Sequence, residues 1–348
     1  MKIQNNIRRN FISKRSSIFI STTKLISITT LLLILMIACK YDSTGLMPNV
    51  TGKAGEVVVV MENNFWKNQP GAALKNHLAS EVSALPQGEP MFDLVNIPRA
   101  AFSDIFQTHR NIIITKVSKN IKEPKILVRS NVYAKPQIVI QIEANNSEKL
   151  ANIIDKHGKG IMDKLIEKER NRIIQNYRNY EDPSISGRLR KYHDLSLILP
   201  RGYSYDLDTT NFIWIAHETQ DIIQGILIYY YNYTDTSSFN KENLISKRDE
   251  ILRKYLPGPV DGSYMTTEKN MPVSYREFLI NDKYTSEISG LWKLEGPAFM
   301  GGPFISLSTV DESRNRVVTV EGFVFAPKLD KRNYLRQVEA ILHTLKFS

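Results

Sequence analysis

FIWIAH at residues 212–217 and GILIYYYNY at 225–233 are two neighbouring stretches in which β-branched and aromatic residues dominate. Residues of these types favour strands, so the two stretches predict a strand pair. One helical pattern follows at 240–255, and a last one begins after Asp330. Because the remaining stretches form a run of strands and do not alternate with helices, the order predicts an antiparallel α+β layer. These further strands are expected at 264–267, 274–280, 284–294, 304–310 and 317–325.

The first half of the chain also mixes strands and helices. EVVVVME at 56–62 has strand length and lies between glycines and an Asn-Asn pair, so it predicts a buried strand. Pro70 begins a helical pattern that Pro86 closes, and a long amphipathic helix begins at Asn146 or Ser147. We therefore predict an α+β protein of two domains, with mostly antiparallel sheets and helices packed on them. Further strands of this half are expected at 92–97, 111–117, 125–133 and 137–143.

The domain boundary is predicted where the long helical pattern stops. Asp182-Pro183 ends that pattern, and Ser186-Gly187 is a pair typical of loops. We expect a signal peptide at 1–38, a lipidated tether at 39–54, an N-terminal domain at 55–181, a linker at 182–194 and a C-terminal domain at 195–348.

An apolar leader, LISITTLLLILMIAC at 25–39, ends on Cys39, the only cysteine of the chain. Basic residues precede it and no acidic residue does, which is typical of an export signal. A membrane-spanning helix needs roughly 20 apolar residues, so this run is too short for a permanent crossing. The alternative interpretation is a signal anchor whose edge carries a cysteine by chance.

The four residues that end the leader, Met36-Ile37-Ala38-Cys39, resemble the lipobox of bacterial lipoproteins. The resemblance implies cleavage before Cys39, a diacylglyceryl thioether on its sulfur and an acylated new N-terminus. Two or three acyl chains would make attachment to a membrane effectively permanent. The tether carries no acidic run of the kind that marks surface export in some lineages, so we expect an outer-membrane location that faces the periplasm.

Charge argues against a nucleic-acid partner. Six of the 46 Lys and Arg residues and none of the 36 acidic residues lie in the leader, so the mature chain carries 40 basic and 36 acidic residues. A nucleic-acid binder normally concentrates more positive charge on its folded part. The expected partners are the membrane, through the lipid on Cys39, and an envelope protein or a cell-wall component.

Several short motifs in the second half are similar to an uncharacterised lipoprotein family of Gram-negative bacteria, known as a domain of unknown function. The resemblance implies a shared location and fold, and it carries no activity. The order of strands and helices in the second half is also similar to the small α/β/α sandwich of the photosystem accessory protein group. The motifs that carry the family resemblance are LPRGY at 199–203, Trp214, YLPGP at 255–259, GLW at 290–292, MGGPF at 300–304 and EGFVFAP at 321–327.

Catalytic motifs are absent from the sequence. No two histidines have a zinc-binding spacing, and no P-loop, GxSxG or GxGxxG pattern occurs. We therefore expect neither a metal nor a cofactor. His217-Glu218 beside Trp214 is the one pair to seek in a cleft, although a structural histidine would look the same. A hydrolase with two dispersed carboxylates would leave no local pattern.

Two surfaces are candidates for binding. GLWKLEGPAFMGGPF at 290–304 combines four glycines and two prolines with Trp292, Phe299, Met300 and Phe304. It predicts a partner-binding loop, or else a hairpin that packs its own aromatic residues. The long helix has a basic face with Lys164, Lys168 and Arg172, which predicts contact with anionic headgroups or an acidic partner, or else a solvated face with ion pairs.

From these observations we expect a membrane-anchored lipoprotein of the cell envelope, in which the two domains form a binding or assembly module without catalytic activity. The alternative hypothesis is a hydrolase of envelope glycans or peptides with a dispersed carboxylate or Ser/His site. The two hypotheses differ in what a cleft should contain. A hydrolase requires paired carboxylates, or a histidine between a hydroxyl and a carboxylate.

Overall fold

Residues 47–348 are described by a computed structural model. The predicted signal peptide, Cys39 and the beginning of the predicted tether lie outside the described residues. The end of the tether is fixed to the folded body, because the amide of Val50 donates to the Lys135 carbonyl and that of Thr51 to the Thr108 carbonyl. Residues 49–348 form one compact unit, and none of the helices described is long and apolar enough to cross a membrane.

The first half of the described chain contains a five-stranded sheet with the order β2-β1-β3-β5-β4. Three short helices and one long one accompany it. The strands are β1 (Glu56–Val60), β2 (Asp93–Ile97), β3 (Asn111–Val117), β4 (Lys125–Ser130) and β5 (Ile138–Ala144). The helices are α1 (Asn63–Trp66), α2 (Gln69–Leu78), α3 (Asp104–Gln107) and α4 (Ser147–Asn179).

Strand direction in this sheet differs from the predicted antiparallel arrangement. β1 runs parallel to both β2 and β3, β3 runs parallel to β5, and only β4 and β5 are antiparallel. Two consecutive parallel strands need a crossover connection that returns the chain to the same edge of the sheet. Helices α1 and α2 form this connection between the end of β1 and the start of β2. Apolar residues fill all of EVVVV except its first position, which is typical of a parallel strand buried on both faces.

Helix α2 ends at Leu78, eight residues before the predicted end at Pro86. The backbone beyond it bonds to residues 89–92 instead of continuing the helix. Phe92 donates to the Leu78 carbonyl at 2.8 Å, and Val82 donates to the Glu89 carbonyl at 2.8 Å. Leu85 therefore lies outside the helix and packs in the hydrophobic core of the sheet that the second half of the chain forms.

Helix α4 has the predicted N-terminus and apolar stripe. The Asn146 side chain accepts a hydrogen bond from the Lys149 amide at 2.8 Å, which caps the helix. Leu150, Ile154, Ile161 and Leu165 are buried against the first sheet. Gly158 allows α2 to approach, because a Cβ there would lie 2.2 Å from the His77 ring.

The predicted linker at 182–194 is instead mostly helical. Helix α5 (Pro183–His193) begins with Asp182, whose carboxylate accepts a hydrogen bond from the Ser184 amide. Ile185 and Leu189 are buried in the core of the second sheet. The Ser186-Gly187 pair therefore does not loosen the chain, because the apolar residues on either side of it anchor the helix.

The second half contains an eight-stranded antiparallel sheet. Its order is β10-β12-β13-β14-β9-β8-β7, and β11 also pairs with β12. A two-stranded ribbon joins β6 (Leu195–Ser196) to β15 (Lys346–Phe347). The strands of the large sheet are β7 (Ser204–Asp208), β8 (Phe212–Glu218), β9 (Ile223–Asn232), β10 (Tyr264–Thr267), β11 (Ser274–Ile280), β12 (Lys283–Glu295), β13 (Gly301–Asp311) and β14 (Arg316–Phe325).

Helices cover both faces of this large sheet. Helix α6 (Lys241–Tyr255) packs on the face that includes Phe323 of β14, and helix α7 (Arg332–Leu342) packs on the opposite face, which includes Val320. This alternation along one strand follows from the two-residue period of side chains in a sheet. The α+β class is therefore confirmed, and the second half has helices on both sides of an antiparallel sheet.

Candidate functional site

An apolar groove of about 270 Å³ lies on the α6 face of the large sheet, and we call it the aromatic groove. Strands β8, β9, β10, β12 and β14 form its floor. The segment after α6 and the loop between β12 and β13 form its sides. Its principal lining residues are Trp214, Glu218, Ile223, Pro257, Pro259, Met265, Trp292, Met300, Phe323 and Phe325.

Strand alternation brings these side chains to one face. Trp214 and Glu218 are four residues apart on β8 and therefore point the same way. Ile223 of β9 pairs with both Glu218 of β8 and Phe325 of β14, which places the three residues side by side across the sheet. The groove thus results from three adjacent strands that each contribute a residue at the same end of the sheet.

Trp292 is fixed at the bottom of the groove. It is only 2% exposed, and its indole N–H donates to the Val324 carbonyl at 3.3 Å. Gly302 makes this contact possible, because a Cβ there would lie 2.0 Å from the Val324 oxygen. The glycine pair at 301–302 therefore serves close packing between β13 and its neighbours.

The four residues predicted to bind a partner lie in different environments. Phe299 is 99% exposed, and Met300 is half-buried at the side of the groove. Phe304, in contrast, is fully buried beneath the guanidinium of Arg248, whose carbon lies 3.7 Å from the ring centroid. Phe304 is therefore a core residue and not part of a binding surface. Trp292 is a core residue that also reaches the groove.

Two polar groups of the groove lack partners in residues 47–348. No basic group lies within 4 Å of the Glu218 carboxylate, and the buried indole N–H of Trp214 has no acceptor. Asp206 lies in the bulge of β7. Partial burial raises the pKa of the Asp206 carboxyl, and the nearby Glu218 carboxylate raises it further. The groove is therefore apolar at its floor and acidic at one rim.

The predicted pair of His217 and Glu218 does not converge on one site. The His217 ring lies 5.5 Å from the Tyr203 ring, measured between centroids, and Tyr203 belongs to the core on the opposite face. Consecutive residues of a strand point to opposite faces, so Glu218 alone reaches the groove. Pro257 and Pro259 occur in the sequence analysis only within the YLPGP motif at 255–259, and nothing in a local pattern indicates that they would form a wall of the groove.

The basic face predicted on α4 is smaller than the sequence suggests. Lys164 is exposed and lies 3.2 Å from Glu167. Lys168 is half-buried, and burial together with the charge of Arg172 lowers its pKa. Arg172 is buried and donates to Glu169 at 3.0 Å and to the Pro136 carbonyl at 2.8 Å. Burial lowers the pKa of Arg172 to about 10, and its guanidinium joins α4 to the first sheet instead of facing solvent.

A histidine with an acid and a hydroxyl lies elsewhere in the second half. His193 contacts Asp208 through Nε2 at 2.8 Å and the Tyr230 hydroxyl through Nδ1 at 2.9 Å. The Tyr230 hydroxyl donates in turn to the Thr210 carbonyl, so this chain of hydrogen bonds closes on the backbone. These hydrogen bonds hold α5, which carries His193, against strands β7 and β9. In residues 47–348 no group of three or more His, Cys, Asp or Glu side chains is arranged to hold a metal ion.

Two family models match the chain. Residues 182–344 match a domain of unknown function, DUF4837, and residues 50–178 match another, DUF8532. The chain is therefore similar to two families whose function is unknown. This confirms the resemblance to a domain of unknown function that the sequence motifs indicate, and the two matches meet between α4 and α5.

The other comparisons supply no function. No curated protein matches the chain. A crystal structure of a protein from Bacteroides thetaiotaomicron VPI-5482 at 1.50 Å resolution is similar, with 12% sequence identity and a TM-score of 0.19. The match covers 44% of this chain and 45% of that one, so it spans less than half of either protein.

Proposed function

We propose that the chain is a lipid-anchored envelope protein that binds a partner polypeptide in the aromatic groove. The exposed side chain of Phe299 is the observation that carries this proposal. An isolated apolar side chain on a surface needs no functional explanation. Phe299, however, is almost completely exposed beside a groove of about 270 Å³ with an apolar floor.

The energy available to a partner is substantial. Burial of a phenylalanine side chain stabilises by roughly 1.5 to 3 kcal/mol, and interface anchors are enriched in aromatic residues and methionine. Phe299 and Met300 are adjacent, one fully exposed and one at the groove wall. A partner that fills the groove and continues over the loop at 296–300 would cover both side chains together.

The chemistry of the rim favours one kind of partner. Glu218 lines the groove without a basic neighbour within 4 Å in the described chain, so it complements a lysine or an arginine. We therefore expect a segment of an envelope protein that carries an apolar side chain next to a basic one.

The membrane anchor is the second part of the proposal and rests on the lipobox-like residues that end at Cys39. Cells that express the full chain or its Cys39→Ala variant should be labelled with a palmitate analogue. We expect label on the wild-type chain only, and a shorter mature chain that begins at Cys39. Equal labelling of both chains would contradict the anchor without affecting the groove.

Binding in the groove can be measured by tryptophan fluorescence, because two of the three tryptophans, Trp214 and Trp292, line it. The full chain is placed in phosphatidylcholine nanodiscs with Trp66→Phe to remove the third signal. The probe is a blocked peptide with phenylalanine next to lysine, and the comparison peptide has glutamate in place of lysine. We expect saturable binding of the first and roughly tenfold weaker binding of the second, as expected for loss of a charge-assisted contact.

Variants connect this signal to the proposed residues. Phe299→Ala should weaken peptide binding with an unchanged melting temperature, and Glu218→Gln should remove the preference for lysine. Leu279→Ala is the matched control, since Leu279 is also exposed, at 65%, but lies outside the groove. Equal binding by the Phe299→Ala variant would refute the groove as the binding site.

The alternative of a hydrolase has a separate test. Its candidate pair is the carboxylates of Asp206 and Glu218. If the chain releases sugar from cell-wall glycan and Glu218→Gln abolishes that release, the result favours the hydrolase.

A further inference from the structure

A second apolar groove lies on the opposite face of the large sheet, at the end of the chain. Its volume is about 380 Å³, within the range of pockets that hold small molecules. We call it the terminal groove. Its lining combines Ile280, Leu307, Leu342, Leu345 and Phe347 with Asn281, Thr285, Thr309, Lys283 and Lys346.

The fold leaves this region of the sheet open. Helix α7 ends at Leu342, whereas β13 continues beneath it as far as Asp311. The turn between β11 and β12 forms one wall, and β15 with Phe347 forms the other. The floor of the groove is therefore formed by Leu342 at the end of α7 and by Leu307 of β13, and the groove extends beyond the last turn of that helix.

Two lysines flank this apolar floor, and neither has an acidic partner. Within residues 47–348, no carboxylate, including the C-terminal one, lies within 4 Å of the ammonium group of Lys283 or Lys346. Lys283 is half-buried, and its ammonium lies 5.6 Å from the centroid of the Phe347 ring. Asp282 precedes Lys283 but is exposed and is not part of the lining.

We propose that the terminal groove binds a long-chain fatty acid, with the acyl chain on the apolar floor and the carboxylate between Lys283 and Lys346. An apolar lining with a few fixed polar groups is the usual composition of a small-molecule site. The positive charge of Lys283 and Lys346 in the lining selects an amphiphile with an anionic head over a neutral one. The two lysines would gain the charge-assisted contacts that the described chain does not provide.

The test uses the full chain in phosphatidylcholine nanodiscs and a photoreactive palmitic acid that carries a diazirine. After irradiation, mass spectrometry locates the label along the chain, so labelling next to the membrane is separated from labelling in the groove. We expect label between residues 280 and 285 and between 342 and 347. Unlabelled palmitate should compete, whereas hexadecanol, which has the same chain and no charge, should compete roughly tenfold less well.

Variants test the role of charge. Lys283→Gln with Lys346→Gln should reduce labelling of the groove roughly tenfold at an unchanged melting temperature. Lys122→Gln with Lys328→Gln is the matched control, because both of these lysines are exposed and lie outside the groove. Equal labelling of the Lys283/Lys346 variant, or equal competition by hexadecanol, would overturn the proposal. Competition by an apolar peptide with a free C-terminal carboxylate, but not by palmitate, would also overturn it and would identify a peptide site.

Discussion

Arg248 and Glu321 form an ion pair that is completely buried beneath α6. Both side chains have no exposed surface, and the guanidinium donates to the two carboxylate oxygens at 2.9 and 2.8 Å. Arg248 also donates to the Thr267 hydroxyl at 2.8 Å. Burial raises the pKa of Glu321, and Arg248 opposes that rise. Each charge therefore depends on the other.

This dependence predicts a large difference between single and double replacement. Arg248→Met leaves the Glu321 carboxyl buried without its partner and should cost roughly 3 to 5 kcal/mol in the free energy of unfolding. Arg248→Met combined with Glu321→Leu should recover most of that loss, because an apolar pair of similar volume removes both buried charges. Urea denaturation measures each value.

The control for this pair is Arg253→Met, which changes an exposed arginine of the same helix and should cost little. If the double variant is as unstable as Arg248→Met alone, the ion pair stabilises the fold beyond the neutralisation of its two charges, and the prediction is wrong.

The environment of such charged residues is hard to predict from the sequence. By its pattern, Arg172 belongs to a basic face of a helix and Arg248 to the helical pattern at 240–255. A solvated arginine and an arginine buried against a distant carboxylate can have the same local sequence, so no local pattern distinguishes the two. Glycine and proline around large apolar residues single out the segment 290–304, but this pattern does not separate the exposed Phe299 from the buried Phe304.

Elements were predicted better than their directions and ends. The β-branched runs and the apolar stripe of α4 give strands and helices, because burial of one face imposes a period. Side chains alternate in the same way in parallel and antiparallel strands, so only the continuous apolar run of β1, and not a period, indicates its parallel direction. The end of α2 at Leu78 is set by hydrogen bonds to residues 89–92, and a tertiary contact of this kind leaves no local pattern.

Helices α4 and α7 meet through a charged cluster that should make stability depend on pH. Arg170 of α4 contacts Glu339 of α7 at 2.8 Å, and His343 lies 3.6 Å from the same carboxylate oxygen. Arg276 of β11 lies 3.7 Å from Glu339 and also pairs with Glu287. Burial opposes ionisation of Glu339, but Arg170 and His343 outweigh it and hold its pKa below the ordinary value of 4.5.

Burial lowers the pKa of His343 below the ordinary value of 6.5, although Glu339 opposes this shift. Below pH 6.5 the unfolded chain therefore binds a proton at this residue more readily than the folded chain does. Stability should fall as the pH drops from about 7.5 to about 5.5, by up to about 1.4 kcal/mol per pH unit. Glu339 should contribute nothing to this change, because its stabilisation is lost only below pH 4.5.

Denaturant unfolding at the two pH values tests the role of His343. His343→Gln should flatten the difference, whereas His157→Gln should leave it unchanged, because His157 lies on the exposed face of α4. An unaltered pH dependence in the His343→Gln variant would show that another group is responsible.

The two halves of the molecule are joined by a segment of the first half that docks on α7. Glu89 is only 6% exposed, and its carboxylate accepts the amides of Lys331 at 2.7 Å and Arg332 at 2.9 Å. The Arg332 guanidinium returns to the first half and contacts Asp93 at 2.7 Å. Leu85 enters the core of the second sheet from the same segment. Each half thus supplies groups that the other needs.

Glu89 caps the N-terminus of α7 from a distant part of the chain, so its loss should weaken both that helix and the junction. Glu89→Ala leaves two buried amides without an acceptor and should lower the free energy of unfolding by about 1 to 3 kcal/mol. We also expect faster cleavage by a protease between residues 79 and 90, because the docked segment is released. Glu81→Ala is the matched control, since Glu81 lies in the same segment and is exposed. Wild-type stability and wild-type cleavage in the Glu89→Ala variant would mean that Leu85 and its apolar neighbours hold the halves together without the carboxylate.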